Sequence, residues 1–213
     1  PVLPVDQPIH LLNCLVASTS FNNENIKRRE TMTLMVVESL EKLKQRKIFT
    51  LLGVDYFITK RTWINLPLML GVGIILAFVI SPEDPANLKI LSGVGYGLLI
   101  ILSMFFHGIG HIISSRMVGA PVKSIVMTAT VNVLRFEDSE EKPSRIHLGR
   151  SLGGPIFNLL VGIISIMIFN AVMASDFILF FGWVNMVFGV ITLLPIPTLD
   201  GPVIFRELLN RNK

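Results

Sequence analysis

Two histidines stand four residues apart near the end of a long apolar stretch. His107 and His111 would lie on one face of a helix, because residues at i and i+4 are neighbours on a helix surface. Two imidazoles placed in this way can share one zinc ion when a third ligand comes from elsewhere. Core histidines are commoner than ligands. Ionisable residues in apolar segments are nevertheless costly and tend to be functional, so the pair is a candidate metal site.

The residue after the first histidine decides which chemistry the pair could support. In the H-E-x-x-H motif of zinc metalloproteases, a glutamate follows the first histidine ligand and acts as the general base. Here the segment reads His-Gly-Ile-Gly-His, so Gly108 occupies the position of the glutamate. The sequence therefore keeps two metal ligands and lacks the group that would take a proton from water.

Composition indicates a membrane protein. The chain has 213 residues, of which 51% are hydrophobic and 16% are charged. Four stretches lack Asp, Glu, Lys and Arg, and each is long enough to cross about 30 Å of hydrocarbon as a helix. They cover residues 62–82, 90–115, 151–175 and 177–199. We therefore expect an all-α polytopic membrane protein with about four transmembrane helices, rather than a soluble domain.

Basic residues alternate with the predicted crossings. They are abundant before the first stretch, in the loop between the second and third, and in the tail, and they are scarce in the other two loops. The positive-inside rule then predicts that both termini and the long second loop are cytoplasmic. The net charge of +4 is thus interpreted as a topology signal beside the lipid bilayer, and not as a nucleic-acid interface. Cys14 is the single cysteine, which excludes an intrachain disulfide and a cysteine-based metal site.

The chain divides into three predicted regions. Residues 1–31 are polar and patternless, which predicts a disordered or non-native extension. Residues 32–61 predict a cytoplasmic juxtamembrane segment, with an amphipathic helix at 33–47 that lies on the membrane or packs on a domain. Residues 62–213 form the predicted membrane core. Its cytoplasmic loop contains a small β insertion at 122–136, which is structural or offers an edge to an extended peptide.

Glycines and asparagines inside the apolar stretches predict contacts between helices. The segment 93–97 (GVGYG) resembles a potassium-filter sequence, but it lies within an uninterrupted apolar stretch. Its first and last glycines therefore predict close helix packing rather than a channel. Asn158, Asn170 and Asn185 predict interhelical hydrogen bonds.

A candidate for the third ligand follows the last apolar stretch. Asp200 ends the segment LLPIPTLD, and the charge topology places it at the cytoplasmic end, at the depth of the two histidines. Pro195 and Pro197 would break the helix, which is tolerated at this depth where the backbone is buried or lines a wet cavity. Two histidines and one carboxylate are a recurring ligand set for catalytic zinc. Alternatively, Asp200 is a helix-end carboxylate beside a turn glycine.

With these residues the chain resembles the site-2 protease family of intramembrane zinc metalloproteases. That family has HExxH in one transmembrane helix and an aspartate ligand in a later segment similar to NLLPIPxLDG. The matching segments here are residues 107–111 and 192–201. Residues 154–158 (GPIFN) resemble the family's GPxxN element, and residues 52–54 (LGV) resemble its entry segment. The resemblance covers roughly residues 48–210.

The resemblance implies zinc held by His107, His111 and Asp200, and cleavage of a client's transmembrane helix near the cytoplasmic face. The family's glutamate takes a proton from water and later delivers one to the leaving amine, which Gly108 cannot do. The family's asparagine before LLPIP is Thr192 here, whose hydroxyl is shorter and lacks the amide donors. We therefore expect a site-2-protease-like scaffold with lost or strongly reduced peptidase activity.

Two alternatives stay open from the sequence. One is an active intramembrane metalloprotease whose base comes from a partner or from the acidic loop at residues 137–141. The other is a non-catalytic membrane protein that uses the fold to associate with a transmembrane partner. Zinc content separates the second alternative from the others, and cleavage of a transmembrane client separates the first.

Overall fold

The computed structural model describes residues 44–128, 132–136 and 142–210. The described part is mostly helical and contains one small sheet. Its strands are β1 (Arg46–Leu51), β2 (Val54–Ile58), β3 (Val122–Met127) and β4 (Asn132–Phe136). Its helices are α1 (Thr62–Ile80), α2 (Ala86–Met117), α3 (Ser144–Ala171), α4 (Asp176–Thr192) and α5 (Gly201–Asn210).

Three of these helices are long and apolar enough to cross a membrane. They are α1, α2 and α3, with 19, 32 and 28 residues. Helix α4 is apolar but has only 17 residues. It ends at Thr192, before the end of the charge-free run 177–199, because that run continues into Pro195 and Pro197, which cannot extend a helix. The structure supports an integral membrane protein, whereas the predicted count of four crossings is not confirmed. The cytoplasmic placement of both termini stays a prediction.

Large apolar side chains cover the outside of the helices. Val79, Leu91 and Met167 expose 72%, 70% and 64% of their surface. Soluble monomers rarely expose contiguous apolar surface on this scale. Hydrocarbon solvates such a surface well, so the exterior is consistent with a lipid environment.

Glycines set the distance between α1 and α2. A Cβ on Gly73 would overlap the backbone of Gly93 and Gly97, and a Cβ on Gly97 would lie 2.7 Å from the Cα of Leu70. Backbones approach this closely where small residues face each other. The predicted role of Gly93 and Gly97 in close helix packing is confirmed.

Two of the three asparagines predicted to join helices do so. Asn185 Nδ2 in α4 donates to Ser103 Oγ in α2 at 2.9 Å, and Asn158 Nδ2 in α3 donates to the Ser103 carbonyl oxygen at 3.4 Å. Asn170 is exposed, and its Nδ2 donates to the carbonyl oxygen of Ile166 in the same helix, so the prediction is wrong for this residue. Ser103 is thus a polar junction of α2, α3 and α4.

The sheet has the order β1-β2-β3-β4, in which only β2 and β3 are parallel. The predicted strands within residues 122–136 are confirmed as β3 and β4. The sequence pattern does not predict β1 and β2, because charged residues begin β1 and a register shift between Lys47 and Phe49 interrupts its alternation. Leu52 and Gly53 join β1 to β2 with φ values of 49° and 67°, as a two-residue hairpin turn with two positive φ angles requires.

The predicted N-terminal regions fall largely outside the described residues. The predicted extension at 1–31 lies outside them entirely, and so does the predicted helix at 33–47 up to residue 43. Arg46 and Lys47, at the end of that predicted helix, belong to β1. The described part of the predicted juxtamembrane segment, 32–61, therefore supplies two strands of the sheet.

The sheet packs against the end of α2 that carries the histidines. Tyr56 and Ile125 from the sheet are buried in one core cluster with Ile112 from α2. The backbone N–H of Val122 donates to Ser115 Oγ at 3.2 Å, which ties β3 to the last turns of α2. The sheet therefore holds the carboxyl-terminal part of α2 in place.

We expect Gly97→Ala to destabilise the chain and Gly71→Ala to leave it at least as stable. A Cβ at position 97 would press on the backbone of α1, and overpacking costs about 1–3 kcal/mol. A Cβ at position 71 would meet no described atom within 4 Å, and alanine is favoured over glycine in a helix by roughly 0.5–1 kcal/mol. Thermal unfolding of both variants in one detergent measures the difference. Equal melting temperatures would contradict the packing described for α1 and α2.

Candidate metal centre

The two histidines are enclosed between α2 and α3. His107 and His111 lie one turn apart on α2, with ring centroids 4.6 Å apart, and His111 is 3% exposed. Arg150 contacts His111, and Gly154 lies against His107, so α3 runs antiparallel to α2 along this face. The two imidazoles therefore share one face of α2, as predicted, and this face packs against α3.

Asp200 reaches the histidines from the irregular segment between α4 and α5. Thr198 has a φ of 78°, which turns the chain after the two prolines of this segment. A Cβ on Gly201 would overlap the carbonyl group of Leu194, so the turn closes only with glycine at this position. The sequence predicts a helix break at these prolines. The chain turns back after the break and places the Asp200 carboxylate beside α2.

The side chains of His107, His111 and Asp200 bring their ligand atoms close together between α2 and the turn that precedes α5. His107 Nε2 lies 3.0 Å from His111 Nε2 and 3.2 Å from Asp200 Oδ2, and His111 Nε2 lies 3.4 Å from Asp200 Oδ1. Ligands placed tetrahedrally at zinc–ligand distances of about 2.0–2.1 Å are about 3.3 Å apart. Within the described residues, these three side chains form a group that could hold a metal ion. The structure therefore brings together the three side chains predicted from spacing and charge topology.

Hydrogen bonding prepares His111 for a cation. His111 Nδ1 lies 2.8 Å from the carbonyl oxygen of Arg150, which can only accept, so Nδ1 carries the hydrogen. In the neutral ring, Nε2 then has a free lone pair, and this lone pair faces His107 Nε2 and an Asp200 oxygen. The lone pairs of the two Nε2 atoms and of the Asp200 oxygens repel one another at these distances unless a proton or a metal ion lies between them. The donor set therefore fits a bound divalent cation.

The charge state of Asp200 suits the same role. Burial alone raises the pKa of Asp200, but when a proton on the imidazoles supplies the positive charge, the charge of His111 and hydrogen bonds from both rings outweigh burial and hold that pKa well below its ordinary value. The carboxylate therefore stays ionised, which is the form that coordinates a metal.

Gly154 forms the wall behind both imidazoles. A Cβ on Gly154 would lie 2.5 Å from His107 Nε2 and 2.5 Å from His111 Nε2. Real Cβ atoms do not approach ring nitrogens this closely, so any side chain here would push both rings away from Asp200. The glycine of the GPIFN segment is therefore part of the ligand geometry.

The two glycines between the histidines have different roles. A Cβ on Gly110 would lie 2.5 Å from Phe157 Cβ and would overlap the α3 backbone, so Gly110 is required for packing. Among the described residues, a Cβ on Gly108 would meet nothing closer than 3.9 Å, where its neighbours are Ile125 and the hydroxyl of Tyr56. That hydroxyl is buried, and no described residue forms a hydrogen bond with it. Packing therefore does not require glycine at position 108, and an acceptor placed there would have a donor nearby.

Thr192 uses its hydroxyl within its own helix. Thr192 Oγ1 donates to the carbonyl oxygens of Phe188 at 2.8 Å and of Gly189 at 3.3 Å, both in α4. Such bonds to the preceding turn satisfy a hydroxyl in apolar surroundings. The hydroxyl of Thr192 is therefore committed to α4 and does not join the group of ligands.

Arg150 contributes to the site in a way that the sequence does not indicate. Its carbonyl oxygen holds His111, and its buried guanidinium donates to Ala120 at 2.8 Å and lies 4.0 Å from the ring centroid of Phe136. The side chain thus fastens the start of α3 to the sheet, while the backbone orients a ligand. A carbonyl group has no side-chain signature, so only the fold reveals this contact. Gly154 did have a sequence signal, because it belongs to the GPIFN segment.

We expect Gly154→Ala to weaken zinc binding, with Gly108→Ala as the matched control. Overpacking costs about 1–3 kcal/mol, and when this cost displaces the imidazoles, zinc affinity decreases by roughly 5–150-fold. A Cβ at Gly108 has room, so that variant should bind zinc as the unaltered chain does. Competition with a chelating dye on the purified chain measures both affinities. Unchanged affinity in Gly154→Ala would show that the imidazoles are not held as described.

Comparison with solved structures identifies a protein of similar fold. The chain is similar to a site-2 protease from Methanocaldococcus jannaschii, with a TM-score of 0.56 and 17% sequence identity, over 79% of this chain and 73% of that chain. No protein-family model and no curated protein sequence matches the chain. At this identity the likeness shows the fold alone. The chain therefore has a site-2-protease-like scaffold, as the resemblance of its motifs implied.

Proposed function

We propose that the chain is an intramembrane zinc metalloprotease scaffold with lost or strongly reduced peptidase activity. The observation that carries the proposal is the convergence of His107, His111 and Asp200 at separations of 3.0–3.4 Å. The convergence occurs at the end of an apolar helix, in a fold similar to that of a site-2 protease. The implied partner is a transmembrane client within the lipid bilayer, and nothing in the charge pattern favours nucleic acid.

The ligand residues have the composition of a catalytic rather than a structural zinc site. Two imidazoles and one carboxylate make three protein ligands, and catalytic zinc sites use three and leave a fourth position open. Zinc bound there would supply Lewis acidity toward a peptide carbonyl and a water molecule. The chain's own residues fix the ligands: the Arg150 carbonyl orients His111, and Gly154 keeps the space in which both rings sit.

The missing proton acceptor is what separates this site from an efficient protease. General acid–base assistance contributes about 10²–10⁴-fold to rate, and Gly108 can neither take nor deliver a proton. The Tyr56 hydroxyl beside Gly108 does not replace a carboxylate, because burial raises the pKa of a phenol that is already a weak acid. The acidic loop at 137–141, which could supply a substitute, lies outside the described residues.

Binding of a client without cleavage is the activity that remains. Gly108 is not demanded by helix packing, and the Thr192 hydroxyl is turned into its own helix. Both departures affect the reacting groups and leave the three ligands in place. A scaffold of this kind could hold a transmembrane helix, with zinc contributing to the geometry of its site.

We expect Gly108→Glu to create measurable proteolysis, and the gain to increase when Thr192→Asn is added. The position has room for a Cβ, and Tyr56 offers a hydroxyl to the new carboxylate. Restoring the base should raise the rate by about 10²-fold or more. The assay is cleavage of a transmembrane client in proteoliposomes, using a client that an active site-2 protease accepts. Gly108→Gln is the matched control, because it adds the same bulk without a base.

Three outcomes decide between the alternatives. Cleavage by the unaltered chain that is lost in Asp200→Ala would establish an active protease and overturn the proposal. Equal inactivity of Gly108→Glu and Gly108→Gln, with zinc bound, would show that more than the base is missing. A purified chain without stoichiometric zinc, unaffected by His107→Ala, would favour a partner-binding protein that has no metal chemistry.

A further inference from the structure

Within the part of the chain that the structure describes, His107 Nδ1 and Asn158 Oδ1 are buried and have no hydrogen-bond partner. Asn158 is completely buried, so its oxygen is not exposed to bulk solvent. A buried polar group without a partner is costly, and the two atoms are complementary, since one can donate and the other can accept.

The antiparallel packing of α2 and α3 places these groups at the same level. Gly154 lies against the His107 ring, and Asn158 follows Gly154 by one helical turn on the same face of α3. Asn158 Nδ2 donates to the carbonyl oxygen of Ser103, one turn before His107 on α2. The Asn158 side chain is also in interaction range of the His107 imidazole. With its amide nitrogen directed to Ser103, its oxygen is the group left to interact with the ring.

The two candidate ligand histidines differ in what holds their second nitrogen. A metal-binding histidine usually donates its other ring N–H to an acceptor, which fixes the tautomer and the ring orientation. For His111 that acceptor is the carbonyl oxygen of Arg150, at 2.8 Å. His107 Nδ1 has no hydrogen-bond partner among the described residues. Asn158 Oδ1, which also has none, belongs to a side chain that lies beside the His107 ring.

We propose that Asn158 is the positioning residue of His107. Its Oδ1 accepts a hydrogen bond from the Nδ1–H of His107 when a metal is bound, which leaves the Nε2 lone pair for the metal. This inference rests on the proposed zinc site and assigns a role to a residue that is not itself a ligand. A carboxamide performs the task without a second buried negative charge, which apolar surroundings would penalise.

The test compares zinc affinities of the full-length chain in detergent micelles, measured by competition with a chelating dye. Asn158→Leu removes the acceptor at nearly constant size and should weaken zinc binding by roughly 10–100-fold. Asn158→Asp keeps an acceptor at the same position and should preserve the affinity or raise it. Asn185→Leu is the matched control, because Asn185 is equally buried, also bonds to Ser103 and also has an unpartnered Oδ1 among the described residues. Asn158, and not Asn185, is among the described groups that interact with the His107 imidazole. Asn185→Leu should lower the melting temperature of the metal-free chain and leave zinc affinity unchanged.

Each result supports or overturns the assignment. Equal zinc affinity of Asn158→Leu and the unaltered chain would overturn the role of Asn158 and leave the zinc site standing. Equal losses in Asn158→Leu and Asn185→Leu, or failure of Asn158→Asp to retain affinity, would assign Asn158 to helix packing alone. Absence of zinc binding in the unaltered chain would overturn the proposed function, and the inference with it.

Discussion

The close approach of α2 and α3 is the constraint on which the candidate site depends. A side chain at Gly110 would separate the two helices, and a side chain at Gly154 would strike both imidazoles. With glycine at both positions, the α3 backbone comes near enough for the Arg150 carbonyl to hold His111. Lipid supplies no hydrophobic force between helices, so such contacts between small residues are a main source of helix association in a bilayer.

The three candidate ligands and the residue at position 108 depend on different contacts. The geometry of His107, His111 and Asp200 follows from α3 and from the turn that closes at Gly201. The space at Gly108 faces the sheet, where Ile125 and the Tyr56 hydroxyl are its neighbours. A change at position 108 therefore leaves the ligands where they are. The proposed scaffold, with its three ligands in place and no base at position 108, is consistent with this independence.

The sequence predicts the parts of this structure that depend on composition and local spacing. Apolar stretches without charges predict α1, α2 and α3, and i, i+4 spacing predicts the shared face of His107 and His111. Charge topology is a long-range signal that predicts Asp200 at the depth of the histidines, and the structure places the three side chains together. The hairpin of β1 and β2 is not predicted, because a register shift and charged residues obscure its alternation. The Arg150 carbonyl and the pairing of Asn158 with His107 depend on which helices face each other, which no local pattern encodes.

The proposed metal centre requires that zinc binds to His107, His111 and Asp200. Zinc K-edge X-ray absorption of the purified full-length chain measures this binding, because the spectrum reports the ligand types and their distances. We expect one zinc per chain, with nitrogen and oxygen ligands at about 2.0–2.2 Å and no sulfur. We also expect loss of this signal in a His111→Ala, Asp200→Ala double variant that still folds. A chain without stoichiometric zinc, or an identical spectrum from the double variant, would show that these three side chains do not form a zinc site.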